Sequence, residues 1–229
     1  MMVKEVLQKL KEQGYTYEKI DAVLKGLMKE IADSNELREE MAYRVRREGE
    51  YTVEDYRSLP DEPRVELMDG RFYVMEAPSY LHQKIAGEIY RQLANFIAEQ
   101  GGNCEPMIAP VDVQLDCDEK TMVQPDIAIL CDRDKVRKWG VYGAPNFVLE
   151  IISPSSRKKD CTKKVAKYAD AGVREYWIVD PYQKRLVIYR FDSEEIPMIC
   201  GLEEPVGIGI YEGELKIDFE KIRQWMEEE

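Results

Sequence analysis

No apolar run in this 229-residue sequence approaches the ~20 residues that a membrane-spanning helix requires, and no internal repeat or low-complexity tract interrupts it. Cysteine is sparse and unpaired in pattern. Cys104, Cys117, Cys131, Cys161 and Cys200 are scattered, odd in number and free of any C-x-x-C, which fits a reducing cytoplasm better than a disulfide framework or a zinc site. A cytoplasmic location is therefore expected. Histidine occurs once, at His82. The opening stretch MMVKEVLQKLKEQG is amphipathic and carries Glu5 and Glu12, unlike a signal peptide. Positive charge is also short: 33 Lys and Arg against 45 Asp and Glu leave a net charge of −12, which by itself argues against nonspecific binding to nucleic acid.

What is present is an ordinary globular composition, 44% hydrophobic and 34% charged, long enough for one domain of about 170–180 residues with an appendage. Its charge is unevenly placed. Residues 155–190 hold ten Lys or Arg and four Asp or Glu, whereas residues 192–229 hold three and twelve. The basic segment reads either as a solvated charged face or as a surface for an anionic partner.

The hydrophobic pattern divides the chain. In residues 3–48, apolar positions such as Val6, Leu7 and Leu10, then Ile20, Val23, Leu24 and Leu27, recur every three or four residues, as in helices. EQGYTYEKIDAVLKGL there has a helix-turn-helix rhythm without basic charge, so a packing or dimerisation arm is expected over a base reader. From residue 51 the pattern changes. Thr52 and Asp55 form a capping-box signature. RVELMDGRFYV reads as a hairpin turning at Asp69-Gly70. A helix is expected from Tyr80 to Glu99, then strands over Met107–Leu115, Asp126–Leu130 and Asn146–Ile152. A helix from Asp160 to Ala171, strands REYWIVD and RLVIYRF, and a terminal strand and helix follow.

Three acids sit inside strand patterns: Glu66, Asp126 and Glu150. Glu150 interrupts the apolar run FVLEII, where a lone buried carboxylate costs several kcal/mol unless a partner, proton or metal offsets it. Asp126 and Glu150 at the ends of neighbouring strands would offer hard oxygen ligands suited to Mg²⁺ or Mn²⁺. The same residues also fit a structural ion pair for Glu150 and a turn cap for Asp126 after Pro125.

QPDIAIL followed by EIISPS resembles the PD-(D/E)xK nucleases. More closely, YTVEDYRSLP, RVELMDGRFYVMEAPSYLHQKI, TMVQPDIAILCD, GAPNFVLEIISPSSRKKD and KKVAKYADAGVREYWIVDP together resemble the Uma-two family of restriction-endonuclease-like proteins over about Tyr51 to Pro181. The resemblance implies an α/β fold of the restriction-endonuclease-like type, a central mixed sheet flanked by helices, in residues 51–229, behind a helical extension at residues 1–50. It implies a Mg²⁺- or Mn²⁺-dependent endonuclease acting on DNA, in which Asp126 and Glu150 hold the metal. The lysine two residues after the glutamate in the simple motif is replaced here by Ile152. The family pattern instead has a lysine four before a tyrosine, which falls on Lys164 and Tyr168. Helical geometry puts Lys164 at the border of a buried stripe formed by Cys161, Val165, Tyr168, Ala169 and Gly172, with Lys163 and Lys167 further out. From the same pattern Glu66 is expected as a third metal or water ligand and His82 as a proton shuttle or phosphate contact. Ser153 to Lys159 is expected to meet a phosphodiester backbone. Two further readings compete: a nuclease fold that binds or scaffolds without cutting, suggested by Ile152, and a metal-dependent hydrolase of a smaller phosphate. A homodimer is a candidate assembly.

Overall fold

The computed structural model describes residues 49–60, 63–115, 118–193 and 195–228. The helices expected over residues 3–48, with their helix-turn-helix rhythm, lie outside these described residues.

Thr52 opens the first element, α1 (Val53–Arg57), through the reciprocal capping box its sequence promised: the Asp55 carboxylate accepts from the Thr52 amide at 2.7 Å. The hairpin of β1 (Val65–Met68) and β2 (Arg71–Val74) turns at Asp69 and Gly70, both with positive φ, as a tight two-residue turn demands. Ser79 caps the long helix α2 (Tyr80–Gln100), which buries Ile85, Ile89, Leu93 and Ile97 on one face. Truncating Leu93, which is wholly buried, to alanine would cost about 2–5 kcal/mol.

The strand expected over Met107–Leu115 is two strands in two sheets. β3 (Glu105–Ile108) pairs with β6 (Ile127–Leu130), and β4 (Val113–Gln114) pairs with β5 (Met122–Val123) and β8 (Gly140–Tyr142). Pro110 lies between the halves; it has no N–H to continue a ladder, so the chain leaves one sheet there and enters the other. The architecture is the expected mixed α/β, carried by two six-stranded sheets. The first runs β2-β1-β5-β4-β8-β7, with β7 at Val136–Arg137. The second runs β12-β11-β10-β9-β6-β3, with β9 at Phe147–Ile151, β10 at Glu175–Asp180, β11 at Arg185–Arg190 and β12 at Met198–Gly201.

The second sheet is covered on both faces, which is why its central strands read as unbroken apolar runs. One face, with Ile127, Ile129, Phe147, Leu149 and Trp177, packs under α2 and the terminal helix α4 (Glu220–Glu228). The other, with Ala128, Val148, Ile152, Tyr176 and Ile178, packs against Val113, Val123 and Val141 of the first sheet. Tyr176 and Trp177 are both fully buried, on opposite faces of the sheet. β13 (Val206–Gly207) and β14 (Lys216–Ile217) form a small separate pair.

The expectation that the cysteines are all unpaired is corrected: Cys104 and Cys131 form a disulfide. They extend the antiparallel register of β3 and β6 by one step beyond Glu105 and Leu130, so tertiary pairing brings them face to face. Among the described residues no helix is long and apolar enough to cross a membrane.

The helix expected from Asp160 begins differently. Residues Lys159–Lys163 form a π-helical turn, closed by the Lys164 amide bonding to the Lys159 carbonyl, and α3 proper spans Lys164–Ala171. Gly172, in the left-handed region, ends it.

Candidate active site

Asp126 and Glu150 fall at one step beyond the paired positions Ile127 and Leu149 of β6 and β9, so the antiparallel register sets them opposite each other on the same sheet face. Both line a cleft of ≈ 710 Å³ together with His82, Ile151, Lys159, Asp160 and Lys164. The Asp126 carboxylate accepts from the Ile151 amide at 2.7 Å, closing the end of β9.

Lys164 is more central than its place at the border of the expected stripe. It is buried with Tyr168, one turn on, while Cys161 and Val165 are only half-buried. The reason is electrostatic. Its ammonium lies 2.7 Å from Glu150, 2.8 Å from Glu66 and 3.6 Å from Asp160, and these carboxylates hold it charged, well above its ordinary value, against the cost of burial. Lys163 instead donates to the Tyr73 hydroxyl, and Lys167 pairs with Asp69 and Asp118.

The π-helical turn adds a second lysine. In a regular α-helix residues five apart point about 140° away from each other. The wider turn lets Lys159 and Lys164 converge, one on each oxygen of Glu66, at 2.5 and 2.8 Å. Such turns often mark functional sites. The Gln124 amide also donates to Glu66 at 3.0 Å. Glu66, expected as a third metal or water ligand, thus has both oxygens engaged, lies wholly buried and does not line the cleft; its position is that of an anchor for two lysines.

Glu66 and Glu150 share Lys164 yet shift in opposite directions. Burial opposes ionisation of Glu66, but Lys164 and Lys159 overcome it and hold the carboxyl at about 2. Burial raises Glu150, and the nearby charges of Asp160, Asp126 and Glu66 raise it further, to about 8 against the pull of Lys164. The Tyr168 hydroxyl donates to the same Glu150 oxygen at 2.8 Å, and burial beside that carboxylate keeps the phenol protonated. Asp160 is likewise raised by burial, and its Oδ1 is buried without a hydrogen-bond partner among the described residues.

His82 Nε2 lies 3.1 Å from the Ile151 carbonyl and 3.2 Å from Asp126 Oδ2. Burial would lower its pKa, but these acceptors, Asp126 first, raise it.

The donors suit a hard divalent ion. Asp126, Glu150 and the Ile151 carbonyl offer oxygen atoms of the kind that Mg²⁺ takes from protein while keeping waters. Among the described residues no group of three or more His, Cys, Asp or Glu side chains is placed to hold a metal ion. The connected cluster sets four carboxyl groups, Glu66, Asp126, Glu150 and Asp160, around the two ammonium groups of Lys159 and Lys164, and a divalent cation at Asp126 and Glu150 would favour the ionised form of Glu150 against the burial that raises it.

Sequence reasoning missed Asp160 as a site residue and expected Lys159 as a phosphodiester contact rather than as a partner of Glu66. The D-x-x-x-K-x-x-x-Y spacing of Asp160, Lys164 and Tyr168 signals one helix face, but nothing local announces the turn that adds Lys159. The basic segment 155–190 also differs from expectation: seven of its ten Lys and Arg pair with carboxylates, including Arg157 bidentate on Asp180. Ser153, Ser155 and Ser156 do line the cleft.

The model for a family described as "Uma2: Putative restriction endonuclease" matches residues 53–204, more than half of the chain. An "Uncharacterized protein slr1290" from Synechocystis sp. is 25% identical over 130 residues, covering 56% of this chain and 67% of that protein. A solved structure from Anabaena variabilis, titled as "a putative nuclease belonging to DUF820", superposes with a TM-score of 0.65 at 18% identity, over 76% of this chain and 98% of that one. At that identity the superposition establishes the fold.

Proposed function

The chain belongs to the Uma2 family of restriction-endonuclease-like proteins, and from that premise we propose that it is a Mg²⁺- or Mn²⁺-dependent endonuclease that hydrolyses DNA phosphodiester bonds. The observation that carries the reading is the convergence on one cleft of Asp126, Glu150 and the buried ammonium of Lys164, 2.7 Å from Glu150.

Asp126, Glu150 and the Ile151 carbonyl would hold the ion. When bound, it supplies charge neutralisation at the phosphate and acidifies water. Lys164 is the cation in the place that Ile152 leaves empty of charge. It orients the attacking water or neutralises charge gathering on the phosphate oxygens. Glu66 holds Lys164 and Lys159 in register, and Tyr168 fixes the Glu150 oxygen that Lys164 also contacts. His82 braces Asp126 and the Ile151 carbonyl and is positioned to pass a proton at the cleft.

A plasmid-nicking assay with and without Mg²⁺ or Mn²⁺, on duplex, single-stranded and branched DNA, tests the reading. Metal-dependent nicking that Asp126→Ala and Glu150→Ala abolish supports it. Absence of cleavage on all three substrates overturns it. Turnover of a small phosphodiester in that case would identify a hydrolase of smaller phosphates, and no turnover a binding protein on a nuclease fold.

A further inference from the structure

The sequence RDKVRKWGVY, Arg133 to Tyr142, carries four basic residues and one acid in a chain of net charge −12. It forms a hairpin at the free edge of the first sheet, with Lys138 and Trp139 at the tip between β7 and β8. Many basic side chains elsewhere pair with carboxylates, and within this stretch Arg133 pairs with Glu105. The other cations here do not: Lys135 and Arg137 donate to backbone carbonyls, and Arg57, beside them on α1, donates to the Gln114 side chain. Among the described residues none of Arg57, Lys135, Arg137 and Lys138 pairs with a carboxylate.

Aromatic rings stand among these cations. The Arg57 guanidinium lies 4.3 Å over Trp139 and that of Arg137 5.6 Å from Tyr142, while Trp139 and Tyr142 as residues are 36% and 42% exposed. The hairpin is firmly seated. The Val141 amide bonds to the Asp112 carbonyl at 2.8 Å, and Gly140, with φ +152°, lies so close to that carbonyl that a side chain there would collide with it. Asp112 in turn accepts from Gln124 at 2.7 Å, and Gln124 accepts from Arg64, which lines the cleft. The hairpin and the cleft rim are therefore joined through two side chains.

We propose that this hairpin, with Arg57, is the surface that holds a single-stranded segment of nucleic acid, its bases stacked on Trp139 and Tyr142 and its phosphates on Arg57, Arg137 and Lys138. The inference rests on the nuclease reading for its partner. Cations alone would serve any polyanion. Exposed rings interleaved with unpaired cations are what unpaired bases require, since every base offers a flat face.

The test is fluorescence anisotropy of the full chain with a labelled single-stranded oligonucleotide, its duplex, and heparin as a polyanion without bases, all in EDTA so that nothing is cut. Trp139→Ala should weaken single-strand binding about tenfold, Trp139→Phe should restore it, and heparin binding should be unchanged by either. Lys138→Glu should weaken both ligands and flatten the salt dependence by about 0.7 for each phosphate no longer neutralised. Single-strand binding by Trp139→Ala as tight as wild type overturns the proposal, as does an equal loss on duplex or heparin, or a wild-type chain that binds no oligonucleotide. Metal-dependent cleavage scores the nuclease reading separately. Cleavage with unaltered binding by the hairpin variants defeats the surface alone; weakened binding by those variants with no cleavage by wild type defeats the nuclease reading alone.

Discussion

Replacing Lys164 by alanine removes the single cation that touches three buried carboxylates, at 2.7, 2.8 and 3.6 Å. Two consequences follow and can be separated. For stability, Glu66 keeps Lys159 and Asp160 keeps the charge of Lys159 nearby, but Glu150 is left with the Tyr168 hydroxyl. Breaking a buried ion pair from one side costs about 3–5 kcal/mol, which in a domain of this size lowers Tm by on the order of 10 °C. For chemistry, loss of one transition-state charge interaction costs about 2.7–4 kcal/mol, a rate loss of order 10²–10³. The assay is plasmid nicking well below the variant's own Tm, with circular dichroism to verify folding and Lys164→Met to keep the methylene volume. Lys163→Ala and Lys167→Ala are the comparators. Lys163 hydrogen-bonds Tyr73, and Lys167 pairs with the half-exposed Asp69 and Asp118, so each should change stability by about 1 kcal/mol or less and cleavage only slightly. A folded Lys164→Ala protein that cuts at the wild-type rate refutes the catalytic role. A loss in Lys167→Ala as large as that in Lys164→Ala refutes the selection of the lysine by its surroundings.

The remaining expectations concern its neighbours. Asp126→Ala should abolish nicking and, by unpairing the Ile151 amide, lower stability by about 1–3 kcal/mol, read by urea denaturation. Glu66→Ala should free both Lys159 and Lys164 and destabilise by about 3–5 kcal/mol, whereas a metal-ligand role would instead show as weakened metal binding in a stably folded protein. Glu150, raised from 4.5 to about 8 in the fold, contributes stability that is full below pH 4.5 and lost as pH rises through 8. In metal-free buffer the stability should therefore fall as pH rises toward 8, by at most about 1.4 kcal/mol per pH unit for one proton, with Tm falling in step, and Glu150→Gln should flatten that limb; an unchanged pH profile would contradict it. Glu66, lowered from 4.5 to about 2, acts in the other direction: its contribution is present above pH 4.5 and is lost as pH falls toward 2, so Glu66→Gln should blunt acid unfolding over that window.

Local chemistry made much of the fold legible. The Thr52–Asp55 cap, the Asp69-Gly70 turn and the apolar face of the Tyr80–Gln100 helix depend on residues a few positions apart, so the sequence alone carried them. The oddity of Glu150 was legible in the same way, whereas Lys164 was singled out by the family resemblance, whose pattern has a lysine four before a tyrosine. What needed tertiary structure was everything decided by pairing across distance. Pro110 marked a break, but only the sheet partners showed that the chain changes sheets there. Cys104 and Cys131 meet because β3 and β6 share a register, which a sequence separation of 27 does not reveal. The basic run after Glu150 read either as a solvated face or as an anion surface because sequence counts charges without their partners. Folding brings Asp180, Asp118, Asp192 and Glu66 to most of those cations, while Arg57, Lys135, Arg137 and Lys138 stand without a carboxylate partner among the described residues. The sequence by itself set which groups carry charge and which segments form helix or strand, because propensity and turn chemistry act locally. Only the tertiary structure decided which charges are neutralised, since Coulomb energy depends on separation and burial rather than on order along the chain.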